Sequence, residues 1–279
     1  MVSSDQRRRQ LAREKFLRQQ QRRESARLKA RRRNAAIAAG VVVVVAIGAG
    51  AWATDGFGSG STKKSAAGAE PSAPPSPSKA PDPCEKPAKG TVKNLSFKKE
   101  PAITIDKSAT YTMDLKTTCG DMPISMAASK VPHTVNSFDF LAKKGYFDHT
   151  KCHRLTTSGI YVLQCGDPKG NGTGGPGYTI PDEDLKDTRL KGNVYPAGTV
   201  AMANQYNPQT KQGKNSGGSQ FFLVFQDSQL PPYYTPFGTL SKDGMKVLTK
   251  IAKAGESTGQ GDGAPNATVV INKATVQKS

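Results

Sequence analysis

Histidine and cysteine are scarce in this sequence, which has three His and four Cys among 279 residues. No Cys-x-x-Cys pair occurs and the three His are not at ligand spacing, so neither zinc nor any other metal is expected. The sequence also lacks a convincing nucleophile elbow, a phosphate loop that leads into a helix, and a paired-carboxylate motif. These absences leave no sign of chemistry that needs a nucleophile, a bound phosphate or a cofactor.

Acidic residues are few as well, with 22 Asp and Glu against 40 Lys and Arg and a net charge of +18. The excess is concentrated in residues 1–33, which hold 13 Lys and Arg but only three Asp and Glu. Such a basic arm suits either nucleic acid or anionic lipid. Apolar residues make up only 35% of the chain, and mean hydropathy is −0.54, so part of the chain is expected to lie outside a packed core.

The segment after the basic arm favours anionic lipid over nucleic acid as the partner of that arm. Residues 34–54 carry no charge, and as a helix their apolar centre would span roughly 28 Å, which is close to the hydrocarbon thickness of a bilayer. The positive-inside rule then keeps the N-terminus cytoplasmic, with the basic arm on the anionic membrane surface, and places the rest of the chain outside. Nucleic acid is not expected as a partner. Ala51-Trp52-Ala53 leaves open an alternative, cleavage by signal peptidase, after which the domain is still exported.

Residues 55–91 contain seven Pro, five Gly and six Ser, a composition typical of a disordered linker. Residues 92–279 are long enough for one globular domain with a real core. Strand patterns dominate this part, including alternation over residues 111–116 and apolar runs at 194–202, 220–225 and 267–271. Two helices are predicted, one from Pro132 to Gly145 and one around residues 245–252. This pattern predicts a mainly β fold, a closed antiparallel barrel covered by two α-helices.

Four cysteines in an exported domain permit two disulfides, with three possible connectivities. We favour Cys152–Cys165, because a tight β-hairpin between these residues would put them opposite each other. Cys84–Cys119 then remains, and this bond would pin the end of the linker to the first strand. Free buried thiols are the alternative.

Five segments of the globular part carry a resemblance to a known family. They are residues 152–155 (CHRL), 162–167 (VLQCGD), 171–177 (NGTGGPG), 201–204 (AMAN) and 218–223 (GSQFFL). In type and order they resemble the signature segments of cyclophilins, and the resemblance covers about residues 110–275. The form of the first two segments is similar to the exported actinobacterial branch. The resemblance implies an eight-stranded closed barrel and peptidyl-prolyl cis/trans isomerase activity that helps exported proteins to fold.

Arg154 is the catalytic candidate that this resemblance implies. Rotation about an Xaa–Pro bond breaks amide resonance, against a barrier of roughly 20 kcal/mol, and no proton needs to move. When the amide twists, the prolyl nitrogen gains a lone pair, and a guanidinium directed at it stabilises the twisted state more than the planar one. His153 is the neighbour of Arg154 in the strand and points to the opposite face, so we interpret it as a structural histidine.

The resemblance also implies the substrate-binding residues. The proline pocket is expected to be lined by Tyr161, Val162, Phe222, Leu230 and Tyr234, with Ile160 as the alternative to Tyr161. Gln164 and Gln220 would orient substrate carbonyls, and Ala203 and Asn204 would offer backbone partners to the peptide.

The expected partners are Xaa-Pro segments of unfolded or exported proteins, and the expected state is a monomer. The alternative function is a proline-peptide-binding chaperone or scaffold whose turnover is incidental.

Overall fold

The computed structural model describes residues 81–207 and 209–279. Among these residues, no helix is both long enough and apolar enough to span a bilayer. The predicted basic arm (1–33), the predicted anchor (34–54) and linker residues 55–80 lie outside the described residues. The assignments made for those segments stay predictions.

The described part of the chain is mainly β, as predicted, with two α-helices. The helices are α1 (Pro132–Lys143) and α2 (Lys242–Lys253), and a 3-10 turn covers Lys191–Asn193. The strands, in chain order, are β1 (Thr110–Thr117), β2 (Gly120–Ala127), β3 (Thr150–Lys151), β4 (Arg154–Ser158), β5 (Ile160–Cys165), β6 (Val194–Tyr195), β7 (Thr199–Met202), β8 (Phe221–Val224), β9 (Ser228–Gln229), β10 (Pro236–Leu240), β11 (Asp262–Gly263) and β12 (Val270–Lys278).

One antiparallel sheet contains ten of these strands, in the order β11-β4-β5-β8-β7-β10-β2-β1-β12-β3, and β6 pairs separately with β9. The eight strands of four residues or more are consecutive in that order. The closed eight-stranded barrel that was expected is not shown, because the ladder has two ends, where the two-residue strands β11 and β3 extend the sheet.

The chain itself connects the two ends of this sheet. β3 pairs with β12, whereas β4 begins only three residues after the end of β3 and pairs with β5. Between them, the Cys152 N–H donates to Val269 O (2.9 Å) and the His153 N–H donates to Gln164 O (3.0 Å). The sheet is therefore curled, so that its opposite ends meet at the residues that precede Arg154.

The strand β8 has two apolar faces, as the sequence predicted. Phe221 and Leu223 belong to the large core, whereas Phe222 and Val224 belong to a second, smaller apolar cluster. The large core is rich in aromatic contacts. The Phe138 ring of α1 lies 4.7 Å from the Phe237 ring and 5.6 Å from the Phe221 ring, measured between centroids. Burial of such side chains is the main contribution to the stability of the sheet.

The two predicted helices are both present, and each has a cap. Pro132 occupies the first turn of α1, where its missing N–H costs nothing. The Glu183 carboxylate then accepts hydrogen bonds from the His133 and Thr134 N–H groups at that end. In α2 the Ser241 hydroxyl accepts from the Gly244 N–H (3.0 Å). The helix α1 packs against β12, and α2 packs against β2.

Two strand predictions are corrected by the structure. The run 194–202 is two strands, β6 and β7, because the chain turns at Pro196, where the Thr199 N–H donates to the Pro196 carbonyl (3.0 Å). Gly198 within this turn has φ +88°, a conformation that favours glycine. Of the run 267–271, only Val270 and Ile271 lie in a strand, β12, which continues to Lys278 and pairs with β1 from Tyr111 to Thr117.

Both favoured disulfides are formed, Cys84–Cys119 and Cys152–Cys165. Cys119 of the first bond lies in the turn between β1 and β2, and Cys84 lies within the segment that the sequence assigned to the linker. There the Glu85 N–H donates to Thr118 O (2.8 Å) and the Ala88 N–H donates to the Asn272 side chain (3.0 Å). Residues 84–88 therefore contact the sheet at the turn between β1 and β2 and along β12.

Candidate active site

Four residues form one row across four strands. Three of them, Arg154, Gln164 and Phe222, are predicted site residues, and the fourth is Ala201. Arg154 of β4 is directly opposite Gln164 of β5, Gln164 is opposite Phe222 of β8, and Phe222 is opposite Ala201 of β7. Directly opposed residues of antiparallel strands point to the same face of the sheet. The sequence therefore folds so that a guanidinium, an amide and an aromatic ring are adjacent on one face.

Asp262 of β11 binds the Arg154 guanidinium. Nε and Nη2 of Arg154 donate to Oδ1 and Oδ2 of Asp262, both at 2.7 Å, and Nη1 lies 3.5 Å from Oε1 of Gln164. The pair raises the pKa of Arg154 and lowers the pKa of Asp262, in each case chiefly through these hydrogen bonds. The guanidinium has five N–H donors. Since these contacts use three of them, two remain for a ligand.

The amides of Gln164 and Gln220 continue the network away from Arg154. Nε2 of Gln164 donates to Oε1 of Gln220 (2.9 Å), and Nε2 of Gln220 donates to Gly174 O (2.8 Å). Gly174 lies in the glycine-rich loop, which the buried Asp167 carboxylate holds by accepting backbone N–H groups such as that of Gly172 (2.6 Å). All donors in this series are directed the same way, from Arg154 towards the loop.

The second apolar cluster lies beside this network. Its members include the predicted pocket residues Val162, Phe222 and Leu230, all buried, with Tyr234 partly buried against them. The Tyr234 ring is perpendicular to the Phe222 ring at 5.5 Å between centroids. Arg154 lies close enough to Tyr234 that its charge opposes the rise in the Tyr234 pKa caused by burial. The geometry places an apolar surface and a cation side by side.

A cavity of about 800 Å³ lies on the other side of the row. Four of the predicted substrate-binding residues line it, namely Gln164, Ala203, Asn204 and Gln220. The Ala203 N–H is already bonded to Gln220 O (2.9 Å), and the Asn204 amide donates to Tyr233 O (2.6 Å). The predicted polar residues and the predicted apolar residues are thus brought to neighbouring parts of one surface.

Tyr161 is the predicted pocket residue that the structure does not place in the apolar cluster. Side chains alternate along β5, so Tyr161 faces away from Val162 and Gln164, and its ring packs on Phe225 at 5.8 Å between centroids. The alternative, Ile160, packs against the apolar cluster. The alternation of β5 therefore favours Ile160 as a pocket residue.

His153 lies on the opposite face from Arg154, as expected for its strand neighbour. Burial lowers its pKa, which favours the neutral ring, and its Nδ1 atom has no hydrogen-bond partner among the described residues. Its Nε2 atom lies near Gly172 of the glycine-rich loop. These contacts suit a packing residue between β4 and that loop.

The family model for the cyclophilin type peptidyl-prolyl cis-trans isomerases matches residues 112–276, which include the whole row from Arg154 to Ala201. The chain belongs to the cyclophilin family.

Two relatives of this cyclophilin domain show the extent of the likeness. A probable peptidyl-prolyl cis-trans isomerase B of Mycobacterium tuberculosis is 45% identical over 206 residues, 71% of this chain and 61% of that protein. The Mycobacterium leprae protein of the same description is 45% identical over 71% of this chain and 63% of its own length. The chain thus spans less than two thirds of the length of these curated relatives. A crystal structure of a Cryptosporidium parvum cyclophilin type isomerase covers 61% of this chain and 99% of its own, with 25% identity and a TM-score of 0.49.

Sequence reasoning missed two residues of this cyclophilin site. Asp262 is separated from Arg154 by 108 positions, and it is one of two carboxylates, with Glu256, in the glycine-rich run 255–263, where no local pattern marks it as a partner of Arg154. Tyr195 is fully buried in the apolar cluster, and its hydroxyl donates to Tyr234 O (2.8 Å). An aromatic residue that begins an apolar run gives no sign that its hydroxyl holds another segment.

Proposed function

We propose that this chain catalyses cis/trans isomerisation of Xaa–Pro bonds in unfolded or exported proteins. The observation that carries the proposal is the row in which Arg154 and Gln164 lie beside Phe222 on one face of the sheet. A proline ring in contact with the Phe222 cluster would bring its amide nitrogen next to the guanidinium. Family membership and the mycobacterial relatives named as probable isomerases support the same conclusion.

Arg154 acts in this proposal as the donor to the prolyl nitrogen. The twisted amide has lost its resonance, and its nitrogen lone pair accepts a hydrogen bond that the planar amide cannot accept equally well. An arginine keeps its charge at every relevant pH, and a charge-assisted hydrogen bond at a partly enclosed site stabilises the twisted state by a few kcal/mol. The contacts with Asp262 and Gln164 together leave two N–H donors of Arg154 for this role.

In this scheme the proline ring makes its apolar contacts with Ile160, Val162, Phe222, Leu230 and Tyr234. Gln164 and Gln220 orient the substrate backbone, and Ala203 and Asn204 border the cavity that takes the residues before proline. These contacts bind the planar and the twisted amide about equally, so they set affinity more than rate.

An assay with the purified full-length chain tests this function. We expect it to accelerate exchange between the cis and trans forms of a short Xaa-Pro peptide, measured by NMR exchange spectroscopy. Arg154→Ala should abolish most of the acceleration and spare much of the peptide binding. Equal rates for the wild-type chain and Arg154→Ala would favour the alternative, a proline-peptide-binding chaperone or scaffold.

We further propose that the domain works outside the cytoplasmic membrane, anchored as a monomer by residues 34–54 with the basic arm on the inner anionic surface. Both disulfides suit an oxidising compartment. The proposal predicts that, in intact cells, external protease removes the domain and leaves residues 1–33 protected. Protection of the whole chain would contradict it.

A further inference from the structure

The contact between Arg154 and Asp262 is more ordered than a surface ion pair usually is. Both guanidinium–carboxylate distances are 2.7 Å, although the side chains of Arg154 and Asp262 are 40% and 54% exposed. Exposed ion pairs contribute little to folding stability, since water competes for both charges. A two-point contact at this position therefore suggests a function other than stability.

The turn that carries Asp262 is fixed to the strand that carries Arg154. β11 pairs with β4 so that Asp262 is opposite Thr156, and the Thr157 N–H donates to Gly261 O (2.9 Å). Gly261, with φ +87°, approaches Ser158 so closely that an added Cβ would lie 2.4 Å from the Ser158 Cβ. The position of the carboxylate relative to β4 is thus set by backbone contacts.

A second carboxylate, that of Glu256, accepts hydrogen bonds from within the turn that carries Asp262. Oε2 of Glu256 accepts the Thr258 N–H (2.6 Å) and Oε1 accepts the Gly261 N–H (2.8 Å). The Thr258 hydroxyl also donates to Oε2 (2.7 Å), and this bond is the largest contribution, followed by the backbone bonds, to lowering the pKa of Glu256, so Glu256 is charged when the turn is formed. The turn that holds Asp262 therefore has its own internal support.

The contact fixes which edge of the guanidinium remains available. Asp262 occupies Nε and one side of Nη2, so Nη1 is directed across the hairpin towards Gln164. An arginine side chain has several rotatable bonds, and a partly exposed one without this contact would distribute over many rotamers. The Asp262 carboxylate favours the rotamers in which Nε and Nη2 of Arg154 face it.

We propose that Asp262 is a positioning residue, which holds the Arg154 guanidinium with its Nη1 edge towards the amide of a bound Xaa-Pro peptide. This inference rests on the isomerase function proposed above. The carboxylate also has an opposing effect, because its charge weakens the positive field of Arg154 at the amide nitrogen. Positioning is the larger effect in this proposal, so loss of Asp262 slows the reaction.

Kinetic measurements on the full-length chain test whether the positioning of Arg154 by Asp262 outweighs the weakening of its positive field. Asp262→Ala should lower kcat about ten-fold, because Arg154 then spends most of its time in other rotamers. KM should change less than two-fold, because Asp262 is not expected to touch the peptide and Arg154 acts mainly on the twisted amide. Asp262→Glu, which keeps the charge, should retain more activity than Asp262→Asn. Asp243→Ala is the control, since it removes another exposed ion pair, with Lys246 on α2, and should leave kcat unchanged.

A second measurement decides the proposal independently of activity. With ¹⁵N-labelled arginine, the Arg154 Nε–H signal should be sharp in the wild-type chain and broadened in Asp262→Ala, and Arg154→Lys assigns it by its absence. An unchanged Nε–H signal in Asp262→Ala overturns the proposal whether or not the chain is an isomerase. So does a kcat that is unchanged or raised in Asp262→Ala of an active chain. An inactive wild-type chain with the expected change in the Nε–H signal would instead overturn the proposed function alone.

Discussion

Arg154 and Gln164 are opposite each other in the antiparallel pair of β4 and β5, with Nη1 of the arginine 3.5 Å from Oε1 of the glutamine. The disulfide Cys152–Cys165 joins the same two segments, since Cys152 lies two residues before Arg154 and Cys165 directly follows Gln164. Cys152 and Cys165 are both buried. The disulfide therefore restrains the pairing of the two residues that form the polar side of the site.

Removal of Cys152–Cys165 by Cys152→Ala/Cys165→Ala should lower both stability and activity. The bond closes a loop with a sequence separation of 13 residues, which on the chain-entropy model gives a loss of roughly 3 kcal/mol in the free energy of unfolding. Freer movement of β4 against β5 should lower kcat/KM about five-fold, because small misplacements of catalytic groups are costly. Denaturant unfolding and the isomerase assay measure the two effects.

The other disulfide supplies a matched control. Cys84–Cys119 has a sequence separation of 35 residues, so Cys84→Ala/Cys119→Ala should cost slightly more stability, about 4 kcal/mol. It is not among the contacts of the Arg154 row, so kcat/KM of the folded protein should stay within about two-fold of wild type. Equal losses of activity in the two variants would show that the effect of Cys152–Cys165 is not local.

The sequence predicted which residue types form the site better than it predicted which face each residue occupies. A resemblance aligns β5 only to within one residue, and a shift of one residue in a strand moves a side chain to the other face. Tyr161 was expected in the pocket, but it packs on Phe225, whereas Ile160 packs on the apolar cluster. Hydrophobicity cannot separate the two residues, because both are apolar and both are only partly buried.

Ile160→Ala and Tyr161→Ala test this assignment of faces. Loss of the Ile160 side chain should raise KM about five- to ten-fold with kcat little changed, because a few buried methyl groups contribute roughly 1–2 kcal/mol to binding of an apolar ligand. Tyr161→Ala should leave KM within about two-fold of wild type, since its ring lies on the other face. Titration of the initial rate with peptide gives both constants, and the reverse ranking of the two variants would contradict the assignment.

The fold could be predicted where apolar and polar residues alternate regularly along the chain. Alternation at Tyr111, Met113 and Leu115 predicted β1, and all three side chains are buried. Paired contacts between distant segments could not be predicted in this way, because nothing in the local pattern of residues 255–263 indicates that Asp262 meets Arg154. The same holds for the hydroxyl of Tyr195, which bonds the backbone of Tyr234.

Tyr195→Phe should loosen the segment that carries Tyr234. The Tyr195 hydroxyl donates to Tyr234 O (2.8 Å) and accepts from the Tyr234 N–H (3.3 Å). Its removal leaves two backbone groups without these bonds, which should lower the free energy of unfolding by about 1–2 kcal/mol and raise KM for the peptide. Tyr234→Phe, which keeps both backbone groups paired, is the control for stability. Thermal unfolding and peptide titration of the two variants decide the matter, and equal stabilities would contradict this role of Tyr195.

Asp167 should make the stability of the domain depend on pH in the acid range. Burial alone would raise the pKa of Asp167, but the N–H groups of Lys169, Asn171, Gly172 and Gly174 together hold it below its ordinary value. A group whose pKa is lower in the folded state stabilises the fold fully above its unfolded pKa of about 4, and this contribution is lost as the pH falls towards the folded value. The wild-type free energy of unfolding should therefore fall between about pH 5 and pH 3.

Asp167→Asn removes this dependence because the amide does not titrate. It should also lower the free energy of unfolding at pH 7 by roughly 2–3 kcal/mol, since a neutral amide replaces a carboxylate that accepts several backbone hydrogen bonds. Displacement of the loop should reach Gln220 through its bond to Gly174 O and raise KM for the peptide. Asp121→Asn, at an exposed carboxylate of β2, is the control and should change stability at pH 7 by less than about 0.5 kcal/mol. Urea unfolding of the three proteins at pH 7 and pH 4 makes the comparison, and identical slopes with pH for the wild-type chain and Asp167→Asn would refute the role given to Asp167.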